Sequence, residues 1–354
     1  MYEKPCGNFS ENYDKDFNII NTKGQWASLI GAVLMALILP QILAHSRATL
    51  MFINIVAIWI IALHGLNILI GYCGQISIGH AAFMAIGAYT SAILCEKVGL
   101  SFWIALPCAG VMTALVGLLF GLPSVKIKGF YLAMSTLAAQ FIITFVIKFW
   151  SSLTGGTDGL PVPAPVLFGL EFDTPFRFAY ISIPTCFIMT FFAVNIGRSA
   201  TGKAFISVRD NDLAAEVMGV NLFLTKLKAF VIASFFVGIA GSLYAHVMTY
   251  ISMDSFSLDE SIWFLGMLII GGMGHVTGPF FGAIFLLSLG EFAKLYLATY
   301  LSSIIPTLAS SMTASMALIV YALAIILFLI FEPRGINHRW EILKNYYRLW
   351  PFRY

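Results

Sequence analysis

Two short constellations place polar side chains inside apolar sequence. Gly79-His80 is followed, after six intervening residues, by Gly87-Ala88, and Gly274-His275 is followed at the same spacing by Gly282-Ala283. The first lies in GYCGQISIGHAAFMAIGAYTS, residues 71–91, and the second in GGMGHVTGPFFGAIFLL, residues 271–287. Each histidine has polar company: Gln75 and Ser77 precede His80, and Thr277 follows His275. Such groups cost free energy in hydrocarbon. Glycine loosens a helix, and the backbone groups it frees are tolerated at bilayer depth only against protein or a water-filled cavity. The chemistry this suggests is the passage of a polar solute, with no bond made or broken. Gln75, Ser77, Gly79, His80, Gly274, His275 and Thr277 are the candidates for lining a translocation path. Glycine by itself would also suit close helix packing, and it is the added polar groups that point to a pathway.

Bond-making chemistry has little support. Gly197-Arg198-Ser199-Ala200-Thr201-Gly202-Lys203-Ala204 nearly spells a phosphate-binding loop, but Ala204 stands where the magnesium-binding hydroxyl is needed, and a membrane span precedes it where a strand is required. There is no HExxH or GxSxG. Cys6, Cys73, Cys95, Cys108 and Cys186 are scattered, without metal-ligand spacing, and read as small packing residues. Thr154-Gly155-Gly156-Thr157-Asp158-Gly159 has a single carboxylate and reads as a turn, not a calcium loop. Glu291 and Lys294, one turn apart, read as a pair. No cofactor, metal or nucleic acid is expected.

The elements that must position these residues follow from hydropathy. Of the 354 residues 59% are hydrophobic and 10% charged, and the mean hydropathy is +0.88, which indicates an all-α polytopic membrane protein. Spans are expected near 26–44, 50–70, 102–122, 129–150, 179–196, 229–250 and 313–331, with broken segments near 71–95 and 261–298. Together they give about ten transmembrane helices, with the two broken-helix segments in an inverted internal repeat. The transmembrane domain is thus 26–331, between a polar tail at 1–25 with no signal-peptide pattern and a basic tail at 332–354. His64 and Asn67 share a helix face and read as a hydrogen bond between helices. The loop at 151–178, with Pro161, Pro163 and Pro165, reads as external and largely irregular.

Charge sets the orientation. Lys126-Ile127-Lys128, the stretch 197–228 and the C-terminal tail carry twelve Lys and Arg against three in the opposite loops, so both termini belong in the cytosol, with Arg47 outside. Within 197–228, Val208 to Asn221 reads as a short helix that Asp210 or Asn211 caps and Gly219 ends. Leu213 and Val217 fall on one face, Asp212 and Glu216 on another, and two turns are too few to be stable alone. The apolar face needs a partner, either its own membrane domain or another subunit.

Three ordered stretches carry a resemblance: GYCGQISIGHAAFMAIGAYTSAIL (residues 71–94), GKAFISVRDNDLAAEVMGVN (202–221) with LKAFVIASFFVGIAGSLYA (227–245), and GGMGHVTGPFFGA (271–283). Together they resemble the permease subunits of branched-chain amino acid ABC importers, of the LivM type, over nearly the whole chain beyond the N-terminal tail. The resemblance implies a bacterial inner-membrane subunit that hydrolyses nothing itself. Its implied partners are a LivH-like second permease, two ATP-binding subunits and an external binding protein delivering leucine, isoleucine or valine. It makes Arg209, Asp210, Asp212, Leu213, Ala214, Ala215, Glu216 and Gly219 the ATPase-coupling residues. The order Ala214-Ala215-Glu216 departs from the family's EAA pattern and leaves the individual contacts open. Permeases for urea, amides or sugars look similar. A self-contained secondary transporter is the alternative from another class, distinguished by having no need of a docking helix.

Overall fold

The computed structural model describes residues 26–27, 31, 38–42, 46–124, 129–167, 169–293 and 309–349. The N-terminal tail, the basic link Lys126-Ile127-Lys128 and Lys294 lie outside the described residues, as does most of the first expected span. The chain is an all-α membrane protein. Its helices are α1 (Arg47–Leu66), α2 (His80–Glu96), α3 (Phe102–Ser124), α4 (Phe130–Phe149), α5 (Pro175–Arg198), α6 (Ala200–Asp210), α7 (Asp212–Val217), α8 (Leu222–Met248), α9 (Leu258–Gly271), α10 (Gly278–Phe292), α11 (Ala309–Phe331) and α12 (Ile336–Leu349). Among the described residues five helices are long and apolar enough to cross a membrane, and a sixth if α11 and α12, bent by 50° at their junction, count as one span.

The longer helices begin where the sequence supplies caps. Ser46, Thr174 and Asn221 accept backbone N–H groups from Thr49, Arg177 and Leu224 at the starts of α1, α5 and α8. Pro175, whose missing N–H costs nothing in a first turn, follows Thr174 directly.

The core is built on α8, which packs against α1, α2 and α3. Small residues let the backbones meet. A Cβ on Gly87 of α2 would lie 2.3 Å from the carbonyl oxygen of Gly238, and one on Gly241 would lie 2.1 Å from that of Met84. Gly282 of α10 is similarly pressed on α9, where a Cβ would approach the Met267 oxygen to 2.0 Å. The Gly-Ala half of both sequence constellations therefore serves helix packing, the usual source of association where lipid removes the hydrophobic drive.

The 151–178 connection contains a single helical turn, a 3₁₀ turn and two short β pairings. Strand β1 (Leu160–Pro161) pairs antiparallel with β4 (Tyr250–Ile251), and β2 (Val166–Leu167) with β3 (Leu170–Glu171). The Lys97 ammonium, just past α2, donates to the carbonyls of Ser152 and Leu153 at 2.7 and 2.8 Å, so this loop, the end of α2 and the end of α8 share one end of the bundle. The two breaks, α6, α7 and the start of α12 gather at the other.

Candidate functional site

The first break starts inside α1. Asn67–Tyr72 continues it as a π-helix, in which the Cys73 N–H reaches back five residues to the Ile68 oxygen at 3.2 Å. Such wide turns are frequent at functional sites because they disturb the ordinary carbonyl pairing. Asn67, buried at the first π position, uses both ends of its amide across the molecule: Oδ1 accepts the Gly274 N–H at 2.8 Å, and Nδ2 donates to the His275 oxygen at 2.9 Å. His64, one turn earlier, instead meets the Thr190 hydroxyl of α5 at 3.1 Å. Gly71 is required where the breaks touch, since a Cβ there would fall 2.2 Å from Asn67 Oδ1 and 2.5 Å from the Gly274 nitrogen.

Arg209, at the end of α6, joins this contact. Its Nη1 donates to the Gly71 oxygen at 2.7 Å, while Nε and Nη2 reach Asp210 Oδ1 at 2.9 Å. The side chain lies over bare backbone: a Cβ on Gly74 would be 2.9 Å from Arg209 Cγ, and one on Gly274 3.2 Å from Nη1. Gly74 and Gly274 have φ of 70° and 82°, which glycine adopts without strain. Arg209 therefore touches both breaks at once.

Past the first break, α2 begins deep in the protein, and its leading N–H groups are claimed by side chains of other helices. The Ile78 N–H goes to Thr136 Oγ1 at 3.0 Å, Ala81 to Ser261 Oγ at 2.9 Å, and Ala82 to Gln140 Oε1 at 2.9 Å. Gln140 Nε2 then donates to the Phe256 oxygen. This half-helix start is closed by protein and offers no vacant anion seat there. Gly79 admits the Thr136 carbonyl, which would lie 2.3 Å from a Cβ. His80 is buried, and its Nε2 lies 3.0 Å from the Ala62 oxygen; a carbonyl only accepts, so Nε2 carries the proton. Gln75 Oε1 and Ser77 Oγ are buried without a hydrogen-bond partner.

The second break places its residues differently. His80 opens a helix, whereas His275 lies in the loop between α9 and α10. His275 is half-exposed, with Nδ1 3.3 Å from the Glu341 carboxylate of α12. Thr277 donates to Asn337 Oδ1, and Asn337 is buried. Gly335 allows α12 to approach, since a Cβ there would meet the Gly272 nitrogen at 2.6 Å. Thr136, Gln140, Ser261 and Asn337 were not among the sequence candidates. Thr136 and Gln140 carry the same signal as His64 and Asn67, polar residues a turn apart in an apolar helix; Asn337, in a polar segment, carries none.

The coupling candidates form two helices. Ser199 caps α6 and Asn211 caps α7, accepting the Gly202 and Ala214 N–H groups at 3.2 and 3.0 Å. The Val220 N–H returns to the Ala215 oxygen and Gly219 to that of Glu216, with Gly219 at φ 87°, a Schellman ending. Ala215 is buried against the domain, while Leu213, Val217 and Met218 are 67%, 87% and 83% exposed. Among the described residues, nothing covers the apolar face of α7. Asp212 and Glu216 flank it, and Ala214 completes the segment.

Comparison with known proteins identifies the family. Residues 48–331 match the family described as branched-chain amino acid transport system / permease component. The chain is 32% identical over 290 residues to the high-affinity branched-chain amino acid transport system permease protein LivM of Escherichia coli (strain K12), covering 75% of this chain and 68% of that one. Identity is also 32% to LivM of Salmonella typhimurium over 265 residues, 68% of this chain and 62% of that one. A probable branched-chain amino acid transport permease protein LivH of Methanocaldococcus jannaschii is 24% identical over 210 residues, 57% of this chain and 66% of that one. No solved structure matches the chain. On the extent of the family match and the likeness to LivM, this chain belongs to the permease components of branched-chain amino acid transport systems.

Proposed function

We propose that this chain is one of two permease subunits of an ATP-driven importer of leucine, isoleucine and valine. It encloses half of the path and receives its driving motion from separate ATP-binding subunits. The observation that carries the reading is Arg209, which belongs to the segment bearing the exposed α7 face and touches both breaks. The α7 face, apolar at Leu213, Val217 and Met218 and acidic at Asp212 and Glu216, suits docking in a partner groove. A self-contained transporter would have no use for it.

In this reading the coupling end is cytosolic, both termini lie there, and the chain crosses the inner membrane about ten times, its two broken segments forming an inverted repeat. An external binding protein delivers the amino acid, and a LivH-like permease completes the path. Closure of the ATPase pair pushes α7; its caps and its buried Ala215 make α6 and α7 move together, and Arg209 carries the displacement to the Gly71 carbonyl and the Gly274 backbone. Asn67 keeps the breaks in step. Gln75 and Ser77, with hydrogen-bonding capacity to spare, face the solute, and His80, His275 and Thr277 hold the flanking segments in place.

The test is ATP-dependent uptake of labelled leucine in vesicles containing the co-purified subunits, comparing the intact chain with Leu213→Asp/Glu216→Arg. Loss of uptake and release of the ATPase subunits from a still-folded membrane domain is the expected result. Uptake without ATPase subunits would sink the proposal.

A further inference from the structure

Glu332-Pro333-Arg334-Gly335 separates α11, 23 residues without a charge, from α12, and the axis turns by 50° across it. α12 therefore starts where an apolar span ends, at the level of the membrane surface. Along it Ile336, Trp340 and Leu343 recur at helical spacing as one stripe. The stripe leaves the protein as it proceeds. Ile336 packs on the core, Trp340 rests against Phe281 with ring centroids 6.0 Å apart yet is 50% exposed, and Leu343 is 58% exposed. Arg339 and Lys344, both exposed, flank the stripe, and His338 and Asn345 fall on the opposite side of the helix. Arg339 gives its Nε to Glu332 at 2.5 Å, but its side chain remains 69% exposed. Residues 332–354 hold five Lys and Arg against two Glu, together with two Trp and three Tyr. That is the composition of a helix lying in a membrane interface, where Trp and Tyr sit at headgroup level and long basic side chains extend their charge to phosphate while their stems cover apolar surface. The exposed face of α7, flanked by Asp212 and Glu216, has the opposite charge and fits a different partner.

We propose that α12 lies along the coupling-side surface of the membrane, with Trp340 and Leu343 among the lipid headgroups and Arg339 and Lys344 on the phosphates of anionic phospholipids. The occupant of the bare stripe is lipid and not a protein chain, because the stripe follows directly on the exposed apolar end of α11, where Ile330 and Phe331 are also uncovered. α12 is in turn fastened to the second break, through Asn337, which accepts the Thr277 hydroxyl, and through the close approach of Gly335 to Gly272. Anionic lipid thereby holds the second break at a fixed depth. The anchor requires only that α11 spans the membrane and does not rest on the identity of the transported solute.

The experiment replaces Leu343 by the photoreactive residue benzoylphenylalanine in the full chain, purified with its subunits and reconstituted in vesicles of phosphatidylcholine alone or of phosphatidylcholine and phosphatidylglycerol in equal parts. Mass spectrometry after irradiation identifies what this position touches. Phospholipid adducts should prevail, and in the mixed vesicles phosphatidylglycerol should be captured in excess of its share. Lys344→Gln should reduce that excess by up to about fivefold, the effect of one basic residue near an anionic surface, while Lys344→Arg keeps it. High salt should reduce it as well, since the charges involved are exposed. Adducts chiefly with another protein subunit, an absence of lipid adducts, equal capture of the two lipids, or an excess indifferent to Lys344→Gln would each overturn the proposal.

Discussion

The side-chain amide of Asn67 spans the two broken segments, accepting the Gly274 N–H at 2.8 Å and donating to the His275 oxygen at 2.9 Å. One residue on a π-helical turn thereby fixes the position of a loop more than 200 residues away in sequence. Arg209, at the end of α6, joins the same contact through the Gly71 carbonyl.

Removing the Asn67 amide leaves a donor and an acceptor unpaired. Each such loss costs about 1–3 kcal/mol, so Asn67→Leu should destabilise the protein by about 2–6 kcal/mol and lower uptake. Thermal unfolding of the purified protein measures the first effect. An unchanged Tm would mean the breaks are held together by something else.

Glycines that look alike in sequence should respond differently. Gly282→Ala and Gly87→Ala place a methyl within 2.0 and 2.3 Å of carbonyl oxygens, whereas nothing lies within 4 Å of the same position at Gly31. Overpacking of this kind costs about 1–3 kcal/mol. Gly31→Ala, in a helical residue, should instead be neutral or stabilising by up to about 1 kcal/mol. Melting curves of the three variants separate the cases.

The contact between α12 and the second break divides into a weak and a strong part. His275 and Glu341 are both about half exposed, and an exposed pair contributes about 0–1 kcal/mol, so Glu341→Gln should barely move the Tm. Asn337 is 1% exposed and receives the Thr277 hydroxyl, so Asn337→Leu should cost more, about 1–3 kcal/mol. Equal effects from the two variants would contradict this division.

Much of this arrangement is legible in the sequence, because hydropathy, caps and glycine interruptions are local signals. Asn211 and Gly219 announce the ends of α7, and the Gly-His pairs mark both breaks. The pairs did not reveal that His80 opens a buried helix while His275 sits in a half-exposed loop, since each role is set by a distant partner, the Ala62 carbonyl in one case and the Glu341 carboxylate in the other. Arg209 stands among the coupling candidates on the resemblance alone, and its reach to Gly71 leaves no mark in the sequence, because that contact depends on how the π-helical turn exposes a carbonyl. Thr136, Gln140 and Ser261 escaped notice for a similar reason: their value lies in closing a helix start contributed by another part of the chain.

The most direct test is to measure ATP hydrolysis and leucine uptake together in reconstituted vesicles carrying Arg209→Gln. The neutral side chain leaves the α7 docking face untouched but weakens the link to Gly71 and Asp210. Charge-assisted hydrogen bonds contribute about 1.5–3 kcal/mol each, so uptake should fall about tenfold or more while the ATPase subunits stay bound and continue to hydrolyse ATP. Uptake and hydrolysis both unchanged would contradict the claim that Arg209 carries motion from the coupling segment to the breaks.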